Sequence, residues 1–271
     1  MKSNNIAVII PVFNHYATVY NVVMETLKLG FPVIVIDDGS TDSTYMELKK
    51  IKQITLLQHK INRGKGAAIL TAMNYAVNFA QWVITLDADG QHNPLDTKQL
   101  IKVISNNSNQ QLLFPNSHPN KLSSTIKNSV FYNTASSGKR QKRPIIIGKR
   151  KGMLEAKAPW TSRFGREFSN FWIKVSGGPK ITDSQSGFRV YPIPESLYLD
   201  VKARRFQFEV EILVKANLAK IPIIEVPVSV SYNLNTKRVS HFHPFFDFLR
   251  NFGTFTRLIF TRFKKNIAFF I

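Results

Sequence analysis

Several residue types and segments are missing or scarce in this chain of 271 residues. There is no cysteine, which excludes disulfides and thiolate metal sites and is typical of a reducing compartment. No run reaches about 18 uncharged apolar residues, so no membrane-spanning helix is expected. The apolar run that follows Met1 is also too short for a signal peptide, and none is expected.

Acidic residues are few: 17 Asp and Glu stand against 37 Lys and Arg, which gives a net charge of +20. Such a surplus favours a polyanionic partner, which is a nucleic acid, a phosphorylated substrate or an anionic membrane. Hydrophobic residues make up 44% of the chain. This is enough for a buried core, either in one large α/β domain or in one domain with an appendage.

Strands and helices are predicted to alternate from residue 6 to residue 104. The predicted strands are β-branched apolar runs, and the predicted helices carry apolar residues at helical spacing or are rich in alanine. Strands are predicted at 6–12, 31–36, 54–58 and 82–86, and helices at 18–29, 41–52 and 67–79. This alternation predicts a doubly wound, mostly parallel sheet, with ligands at the carboxyl ends of its strands. The polar segments at those ends are Asn14, Asp37 with Asp38, the turn 63–66, and Asp87 with Asp89.

Two carboxylates, Asp87 and Asp89, follow the fourth predicted strand. Alternate residues of a strand share a face, so both side chains are expected to point the same way. Like charges at one strand end repel each other unless a cation lies between them, and a hard divalent ion with oxygen ligands suits this geometry. Gln91 and His92 are close enough in sequence to contribute. The alternative is an acidic turn that caps a helix, because the D-x-D pattern is common.

The alternation stops at residue 105. Residues 105–143, rich in Ser, Asn and Lys, are expected to form a long surface loop. The elements expected after it are a strand at 145–147, a helix at 164–175, a strand-like segment at 190–191, a helix at 208–219 and an outer strand at 223–230. Pro227 cannot donate to a ladder, which places the last strand at an edge. Glu209 and Glu211 are two residues apart on a helix, so one is expected to face the site and the other the solvent.

The segment 236–271 is expected to form amphipathic helices outside the main domain. Its phenylalanines include Phe245, Phe246, Phe248, Phe252, Phe255, Phe260 and Phe263, and its cations include Arg250, Arg257, Arg262, Lys264 and Lys265. Basic residues mixed with bulky aromatic ones are typical of a helix that lies in a membrane interface. The alternative is a helix that packs on the domain with its phenylalanines in the core.

Seven motifs occur in the order in which one known family has them. They are V-I-I-P-V-F-N (8–14), V-I-D-D-G-S-T-D (35–42), N-R-G-K-G-A-A (62–68), L-D-A-D-G-Q-H (86–92), I-G-K-R (147–150), D-S-Q-S-G-F-R-V-Y (183–191) and E-V-P-V (225–228). Through them the chain resembles glycosyltransferase family 2, the inverting enzymes of GT-A fold. Within that family it resembles the polyprenyl-phosphate glycosyltransferases, such as dolichyl-phosphate mannose synthase.

The resemblance covers about residues 6–232 and implies a Rossmann-like GT-A catalytic domain at 1–235. Two features depart from the family pattern. The loop 105–143 is longer than in the family, and R-V-S-H-F (238–242) stands where many members have R-x-x-G-x-S-K.

The resemblance implies a nucleotide-sugar donor and Mg²⁺ or Mn²⁺ as cofactor, because a divalent ion stabilises the charge that develops on the diphosphate leaving group. The implied metal ligands are Asp87, Asp89 and Gln91. The residues implied to bind the nucleotide-sugar are Pro11, Val12, Asn14, Asp37, Asp38, Lys65, Asp87 and Ala88, with Asp38 on the base or ribose. Lys65 lies on a glycine turn beside the site, where it either meets a phosphate as a point charge or is an ordinary solvated lysine.

The expected catalytic residues are Asp183, Asp89 and Arg189. With a hydroxyl acceptor, Asp183 is the general base that deprotonates the nucleophile. With a phosphate acceptor the nucleophile is already an anion, and Asp183 orients the acceptor or the sugar instead. A phosphate needs cations, and the candidates for bidentate contacts are Arg150, Arg189 and Arg238. The alternative for these arginines is ordinary surface charge.

The expected function is transfer of a sugar from a UDP- or GDP-sugar to a polyprenyl phosphate of dolichyl or undecaprenyl type, with inversion at the anomeric carbon. The protein is expected in the cytoplasm, held peripherally on the inner face of a membrane by segment 236–271. A hydroxyl acceptor on a glycan or protein is the alternative. Nucleic-acid binding is disfavoured, because no nucleic-acid motif appears and it leaves the three aspartates 87, 89 and 183 unexplained. A catalytically dead family member that only binds the membrane is left open.

Overall fold

The structure is a computed structural model that describes residues 5–107, 133–134, 140–151, 160–230, 252–260 and 262. In the first part of the chain, strands alternate with helices as predicted. The elements are β1 (Ile6–Val12), α1 (Tyr16–Leu27), β2 (Val33–Asp37), α2 (Thr44–Lys49), β3 (Thr55–Gln58), α3 (Lys65–Ala76), β4 (Trp82–Thr85) and α4 (Thr97–Asn107), with a 3₁₀ turn at Pro94–Asp96 before α4.

The second part of the chain completes the sheet. Its elements are β5 (Asn133–Thr134), β6 (Arg140–Gln141), β7 (Ile145–Arg150), α5 (Trp160–Val175), β8 (Arg189–Pro192), α6 (Glu195–Tyr198), α7 (Gln207–Leu218) and β9 (Ile223–Val228), followed by α8 at 252–260. The predicted loop at 105–143 is not irregular throughout, because α4 continues to Asn107 and β5 pairs with β6 in antiparallel fashion.

Seven strands form one sheet in the order β3-β2-β1-β4-β8-β7-β9. Every neighbouring pair is parallel except the two that involve β8, which runs antiparallel to both β4 and β7. The predicted mostly parallel α/β sheet is therefore confirmed, and β9, with Pro227, lies at its edge as predicted.

The reversal of β8 decides which residues meet at the carboxyl edge of the parallel strands. Arg189, the first residue of β8, pairs with Thr85 in β4 and with Ile147 in β7. The segment 183–188, which precedes β8 in the chain, therefore arrives where β4 and β7 end. In an all-parallel sheet the same segment would lie at the opposite edge.

The sheet is covered by helices on both faces, so its central strands are buried, whereas the edge strands β3 and β9 are mostly half-buried. One core layer holds residues of α1, α2 and α4, and the other holds residues of α3, α5, α7 and α8. Strands buried on both faces require continuous apolar runs such as Ile6–Val12, in which every residue is buried.

Helix α8 packs on the domain through one of its faces. Phe255 and Leu258 are each 1% exposed, and the Phe255 ring stacks on Trp172 of α5 at 5.9 Å. Phe252 and Phe260, on the same helix, are 53% and 64% exposed. This part of segment 236–271 thus follows the core-packing alternative while it also presents phenylalanines to the solvent. In the described part of the chain, no helix combines the length and the apolar character needed to cross a bilayer.

A buried ion pair at the amino edge of the parallel strands joins Arg143 to Glu195, which are 52 positions apart in the chain. Arg143, just before β7, donates from Nε to Glu195 Oε1 at 2.6 Å and also pairs through Nη2 with Oε2. The two side chains are 1% and 2% exposed. The same guanidinium donates to the carbonyls of Gln81 and Ile193 at 3.1 and 2.8 Å, and it lies 5.0 Å from the ring centroid of Trp82.

Candidate active site

Asn14 joins the loops that follow β1 and β2. Its backbone has a φ of 53°, a conformation that asparagine tolerates better than most residues. Its N–H donates to Ser40 Oγ at 2.9 Å, and its Oδ1 accepts from the Thr41 N–H at 2.8 Å. Pro11 and Val12, three and two residues before it, are buried at the end of β1. The polar segments that follow β1 and β2 therefore contact each other, as expected for neighbouring parallel strands.

Asp38, at the end of β2, braces the glycine turn that precedes α3. Its Oδ1 lies 2.6 Å from His59 Nδ1 and accepts from the Arg63 N–H at 3.0 Å, while Oδ2 accepts from the Gly64 N–H at 2.7 Å. Asp37 is 0% exposed and accepts hydrogen bonds within its own part of the edge. Both carboxylates thus support loops, and their contact with a nucleotide stays a prediction.

Lys65, the first residue of α3, is held between two carboxylates. Its Nζ lies 2.7 Å from Asp87 Oδ1 and 2.6 Å from Glu209 Oε1, and its side chain is 17% exposed. The turn before it requires glycine, because Gly64 has a φ of 99° and a Cβ there would lie 2.6 Å from the carbonyl oxygen of Arg204. Because Lys65 is largely buried and paired with two carboxylates, the alternative of an ordinary solvated lysine is wrong.

Asp87 and Asp89 lie just past β4, on either side of the buried Ala88. Burial would raise the pKa of Asp87, but the Lys65 ammonium outweighs it and holds the pKa below its usual value. Burial, together with the charge of Asp87, raises the pKa of Asp89. Asp89 Oδ1 accepts from the Gln91 N–H at 3.0 Å. The charge of Asp87 is thus balanced by Lys65, whereas the ionised form of Asp89 is disfavoured in the folded protein.

This pair of carboxylates fits a divalent cation. Burial first, and then the charge of the neighbouring Asp87, raises the pKa of Asp89, and Lys65 shows that a cation can lie against Asp87. Among the described residues, no group of three or more His, Cys, Asp or Glu side chains is arranged to hold a metal ion. Asp87 and Asp89 therefore offer two oxygen-bearing ligands rather than a complete coordination sphere.

Asp183 and Arg150 form a bidentate ion pair where β7 ends. Arg150 donates from Nε to Asp183 Oδ2 at 2.8 Å and from Nη2 to Oδ1 at 2.7 Å. Burial would raise the pKa of Asp183, but the bonds from Arg150 hold that pKa below its usual range. Because β8 lies between β4 and β7, this ion pair and the two carboxylates that follow β4 lie at the same edge of the sheet. The charge of Arg150 contributes to the lowered pKa of Asp87.

Arg189 does not have the role that was predicted for it. Its side chain is 0% exposed, and its guanidinium donates to the backbone carbonyls of Ser184, Ser186 and Glu209 at 2.6, 2.7 and 2.8 Å. A buried guanidinium that donates its hydrogen bonds to backbone carbonyls cannot reach an acceptor phosphate. The prediction that Arg189 is catalytic or binds phosphate is therefore wrong, and its observed role is to fix the segment before β8 and the first turn of α7.

Glu209 and Glu211 are also not as predicted. Glu209 faces the site, where it binds Lys65, but Glu211 is 0% exposed instead of facing the solvent. Glu211 accepts from the Ala203 N–H at 2.8 Å and pairs with Arg257 of α8 at 2.6 Å. The prediction failed because α8 covers the side of α7 that its sequence spacing assigned to solvent.

Two residues near Asp183 were not singled out by the sequence. Glu225 accepts from the backbone N–H groups of Thr182 and Asp183, both at 2.9 Å, and so fixes the start of that segment. A charge inside an otherwise apolar strand was an available signal for Glu225. Arg166 is buried, and its charge contributes to the lowered pKa of Asp183. It lies within an amphipathic helix, where nothing in the pattern distinguishes it.

Gly187 allows the segment before β8 to approach Asp87 closely. A Cβ at this position would lie 2.3 Å from Asp87 Oδ2 and 2.6 Å from Lys65 Nζ. Real Cβ atoms essentially never come this close, so any other residue would push these two side chains away. The glycine of the motif D-S-Q-S-G-F-R thus makes room for the ion pair.

The remaining predicted site residues fall in different places. Ala88 is buried, and its carbonyl accepts from Thr18 Oγ1 at 2.7 Å. Gln91 is partly exposed beside Asp89. Arg238, predicted to bind an acceptor phosphate, lies outside the described residues.

Comparison with known proteins identifies the class of this protein. Residues 7–158 match the sequence profile of "Glycosyl transferase family 2". Because this match spans more than half of the chain, the protein belongs to glycosyl transferase family 2.

Two of the similar proteins illustrate the relationship. A UDP-N-acetylglucosamine–dolichyl-phosphate N-acetylglucosaminyltransferase of Methanococcus voltae is 28% identical over 252 residues, which are 86% of this chain and 88% of that protein. A dolichyl-phosphate beta-glucosyltransferase of Dictyostelium discoideum is 24% identical over 217 residues, which are 76% of this chain and 56% of that protein.

A solved structure has the same fold. Glucosyl-3-phosphoglycerate synthase from Mycobacterium tuberculosis, crystallised with Mn²⁺, UDP and phosphoglyceric acid, matches with a TM-score of 0.58 at 17% identity, over 95% of this chain and 76% of that one. At this identity the likeness concerns the fold alone, and it confirms the predicted GT-A fold.

Proposed function

We propose that the protein is an inverting, metal-dependent glycosyltransferase that moves a sugar from a nucleotide-sugar to a polyprenyl phosphate. The observation that carries the choice of acceptor is the ion pair of Arg150 and Asp183. It places a cation at the same edge of the sheet as Asp87, whose pKa it helps to lower, and leaves Asp183 without the character of a strong base. A phosphate nucleophile needs the cation and does not need the base.

The donor is proposed to lie along the ends of β1, β2 and β4. Asn14 and the loops of Asp37 and Asp38 bind the nucleoside, with Pro11 and Val12 beneath them, and Lys65 meets the diphosphate as a point charge. Asp87 and Asp89, with Gln91, hold Mg²⁺ or Mn²⁺. When bound, such an ion supplies Lewis-acid stabilisation of the departing diphosphate.

The reaction is a single displacement at the anomeric carbon. A phosphate oxygen of the acceptor forms the new bond from the face opposite the leaving group, and the bond between the sugar and the diphosphate breaks. The nucleoside diphosphate leaves with the electron pair, and the configuration at the anomeric carbon inverts. Arg150, oriented by Asp183, is proposed to hold the acceptor phosphate, with Arg238 as a second cation.

The names of the relatives support a lipid phosphate acceptor, since both name dolichyl phosphate. We further propose that the protein works at the cytoplasmic face of a membrane, through segment 236–271. Phe171 of α5 is 60% exposed, and Phe252 and Phe260 of α8 are exposed as well. Together with the basic residues of that segment, these rings have the composition of a membrane-interface surface.

The proposal is tested by product formation. The purified full chain is incubated with Mn²⁺ or Mg²⁺, with UDP- and GDP-sugars in turn and with a polyprenyl phosphate, and lipid-linked sugar is measured by mass spectrometry. If none of the common nucleotide-sugars gives a lipid-linked product, the acceptor assignment fails.

Replacing Asp183 with Asn separates the phosphate acceptor from a hydroxyl acceptor. We expect a loss in kcat of no more than about tenfold, because only the orientation of Arg150 is weakened. Loss of a general base would lower kcat by about 10² to 10⁴. The measurement is kcat between pH 5 and pH 9 for wild type and variant, with thermal unfolding as the control for folding. A near-total loss of kcat in a folded variant would favour a hydroxyl acceptor.

Replacing Gly187 with Ala is expected to lower kcat/KM by roughly 10- to 100-fold, since displacement of catalytic groups by about 1 Å can have an effect of this size. The fold should survive, because the atoms that the new Cβ meets are ends of flexible side chains. Gly253→Ala is the matched control, since nothing lies within 4 Å of a Cβ built there. Equal kcat/KM in the two variants would contradict the close-approach argument.

A further inference from the structure

We propose that Lys65 is an internal counterion of Asp87, which the metal must displace, and that Glu209 is a positioning residue that retains the displaced ammonium beside the donor diphosphate. As a consequence, the metal binds the free protein weakly and binds it tightly together with a nucleoside diphosphate. This inference rests on the proposed function, because it takes Asp87 as a metal ligand.

The first observation is the geometry of Lys65. Its Nζ lies within 2.7 Å of Asp87 Oδ1 and within 2.6 Å of Glu209 Oε1, and the three side chains are 17%, 26% and 8% exposed. Ion pairs this enclosed interact more strongly than surface pairs, because little water screens them. A metal ion that takes Asp87 therefore has to replace an existing, well-placed cation.

The second observation is that the Lys65 backbone is fixed while its side chain has two partners. The Gly64 N–H donates to Asp38 at 2.7 Å, and the Ala67 N–H donates to the Arg204 carbonyl at 2.8 Å. The start of α3 is therefore anchored on both sides of Lys65. When Asp87 is taken by a metal ion, the ammonium can stay on Glu209 without movement of the helix.

The third observation is the position of Glu209 in the first turn of α7. Its backbone carbonyl accepts from buried Arg189 at 2.8 Å, which fixes this turn against the segment before β8. The backbone of Glu209 is thus fixed, and its carboxylate lies 2.6 Å from the Lys65 ammonium. This arrangement gives buried Arg189 an indirect link to the site, through the placement of Glu209.

The balance of charge couples the metal to the nucleotide. Asp87, Asp89 and Glu209 bring three negative charges and Lys65 one positive charge. A divalent ion held by Asp87 and Asp89 would repel the ammonium, and a diphosphate would offer that ammonium a new anionic partner. The metal and the diphosphate therefore favour each other's binding, and this coupling is reciprocal.

The experiment titrates Mn²⁺ into the full chain and follows free Mn²⁺ by electron paramagnetic resonance, with and without UDP or GDP. Lys65→Met keeps most of the apolar stem and removes the charge. We expect it to bind Mn²⁺ alone about tenfold more tightly than wild type, and to lose most of the enhancement that the nucleotide gives in wild type. Arg63→Met is the matched control, because it removes one positive charge from an exposed residue of the same turn.

Glu209→Gln tests the positioning role. With Glu209 neutral, Lys65 has only Asp87 as its carboxylate partner, and Mn²⁺ alone should bind several-fold more weakly than to wild type. In the double variant Lys65→Met with Glu209→Gln, the effect of Glu209 should disappear. A purely electrostatic effect of Glu209 would persist in the double variant, and this outcome would overturn its assigned role.

The inference as a whole is overturned if Lys65→Met and Arg63→Met bind Mn²⁺ alike, with and without nucleotide. If Lys65→Met does not fold, the double variant, which removes one carboxylate as well, gives the same comparison with wild type. No acceptor is present in these titrations. Failure of the proposed function, seen as absence of lipid-linked sugar, is therefore distinguished from failure of this inference.

Discussion

Asp89→Ala is expected to abolish sugar transfer while the protein stays folded. Loss of a metal ligand removes Lewis-acid stabilisation worth several kcal/mol, and about 4 kcal/mol corresponds to a fall of roughly 10³ in kcat/KM. The structure adds that the variant should not be less stable than wild type when metal is absent. Burial and the charge of Asp87 raise the pKa of Asp89, so the ionised carboxylate is disfavoured in the folded protein.

The direction of this pH effect follows from linkage. A carboxyl group with a raised pKa in the folded state contributes stability that is fully present below its unfolded pKa and is lost as the pH rises through its folded pKa. Above the folded pKa, the ionised carboxylate is less favourable in the folded protein than in the unfolded chain, so removal of the group relieves this cost.

The measurements for Asp89→Ala are product formation, Mn²⁺ binding and thermal unfolding in the presence of a chelator. Asp200→Asn is the control, because it removes the charge of a carboxylate that is 70% exposed, and asparagine tolerates the φ of 49° at this position. Binding to anionic vesicles, which is proposed to depend on segment 236–271, should be the same in both variants. Transfer by Asp89→Ala within tenfold of wild type would contradict its place as a metal ligand.

Arg143→Ala is expected to lower the free energy of unfolding by about 3–5 kcal/mol, since it leaves a buried charge without its partner. Glu195, 2% exposed in the pair, would have no cation, and the carbonyls of Gln81 and Ile193 would lose their donors. This ion pair lies at the amino edge of the sheet, whereas the proposed metal ligands lie at the carboxyl edge. Mn²⁺ binding should therefore be unchanged at temperatures at which the variant is folded.

Urea unfolding followed by circular dichroism measures this effect. Lys28→Ala removes a cation from an ion pair whose side chains are 65% and 54% exposed, and exposed pairs contribute little. A second variant, Arg143→Met with Glu195→Leu, should recover much of the loss, because it removes both charges and fills the space with apolar atoms. If Arg143→Ala is no less stable than Lys28→Ala, the buried ion pair does not contribute appreciably to the free energy of unfolding.

The parallel half of the fold was predictable because strands buried on both faces require continuous apolar runs. Ile6–Val12 is such a run, and its predicted and observed bounds agree. The direction of β8 was not predictable, since a short apolar pair such as Val190–Tyr191 reads the same in either orientation. The start of α1 was also missed, because no side chain caps the helix at His15.

At the site, the sequence predicted which residues lie at the carboxyl edge better than it predicted what they contact. Asp87, Asp183 and Arg150 are brought together, but their partners depend on distant elements. Arg189 was misjudged because a motif does not reveal whether a guanidinium is turned inward onto backbone carbonyls. Glu211 was misjudged because the helix that covers it comes from residues more than 40 positions later.

The reversal of β8 also determines when this site can form. The contact of Thr85 with Gly187 joins residues 102 positions apart, and the partner of Lys65 on α7 comes later still. Non-local contacts of this kind form slowly, and during synthesis the amino-terminal half emerges first. A ribosome-bound chain that ends before α7 therefore has the strands that carry Asp87 and Asp89 but lacks Glu209. The pair of Lys65 with Glu209 can therefore form only after α7, which lies in the last third of the chain, has been made and folded.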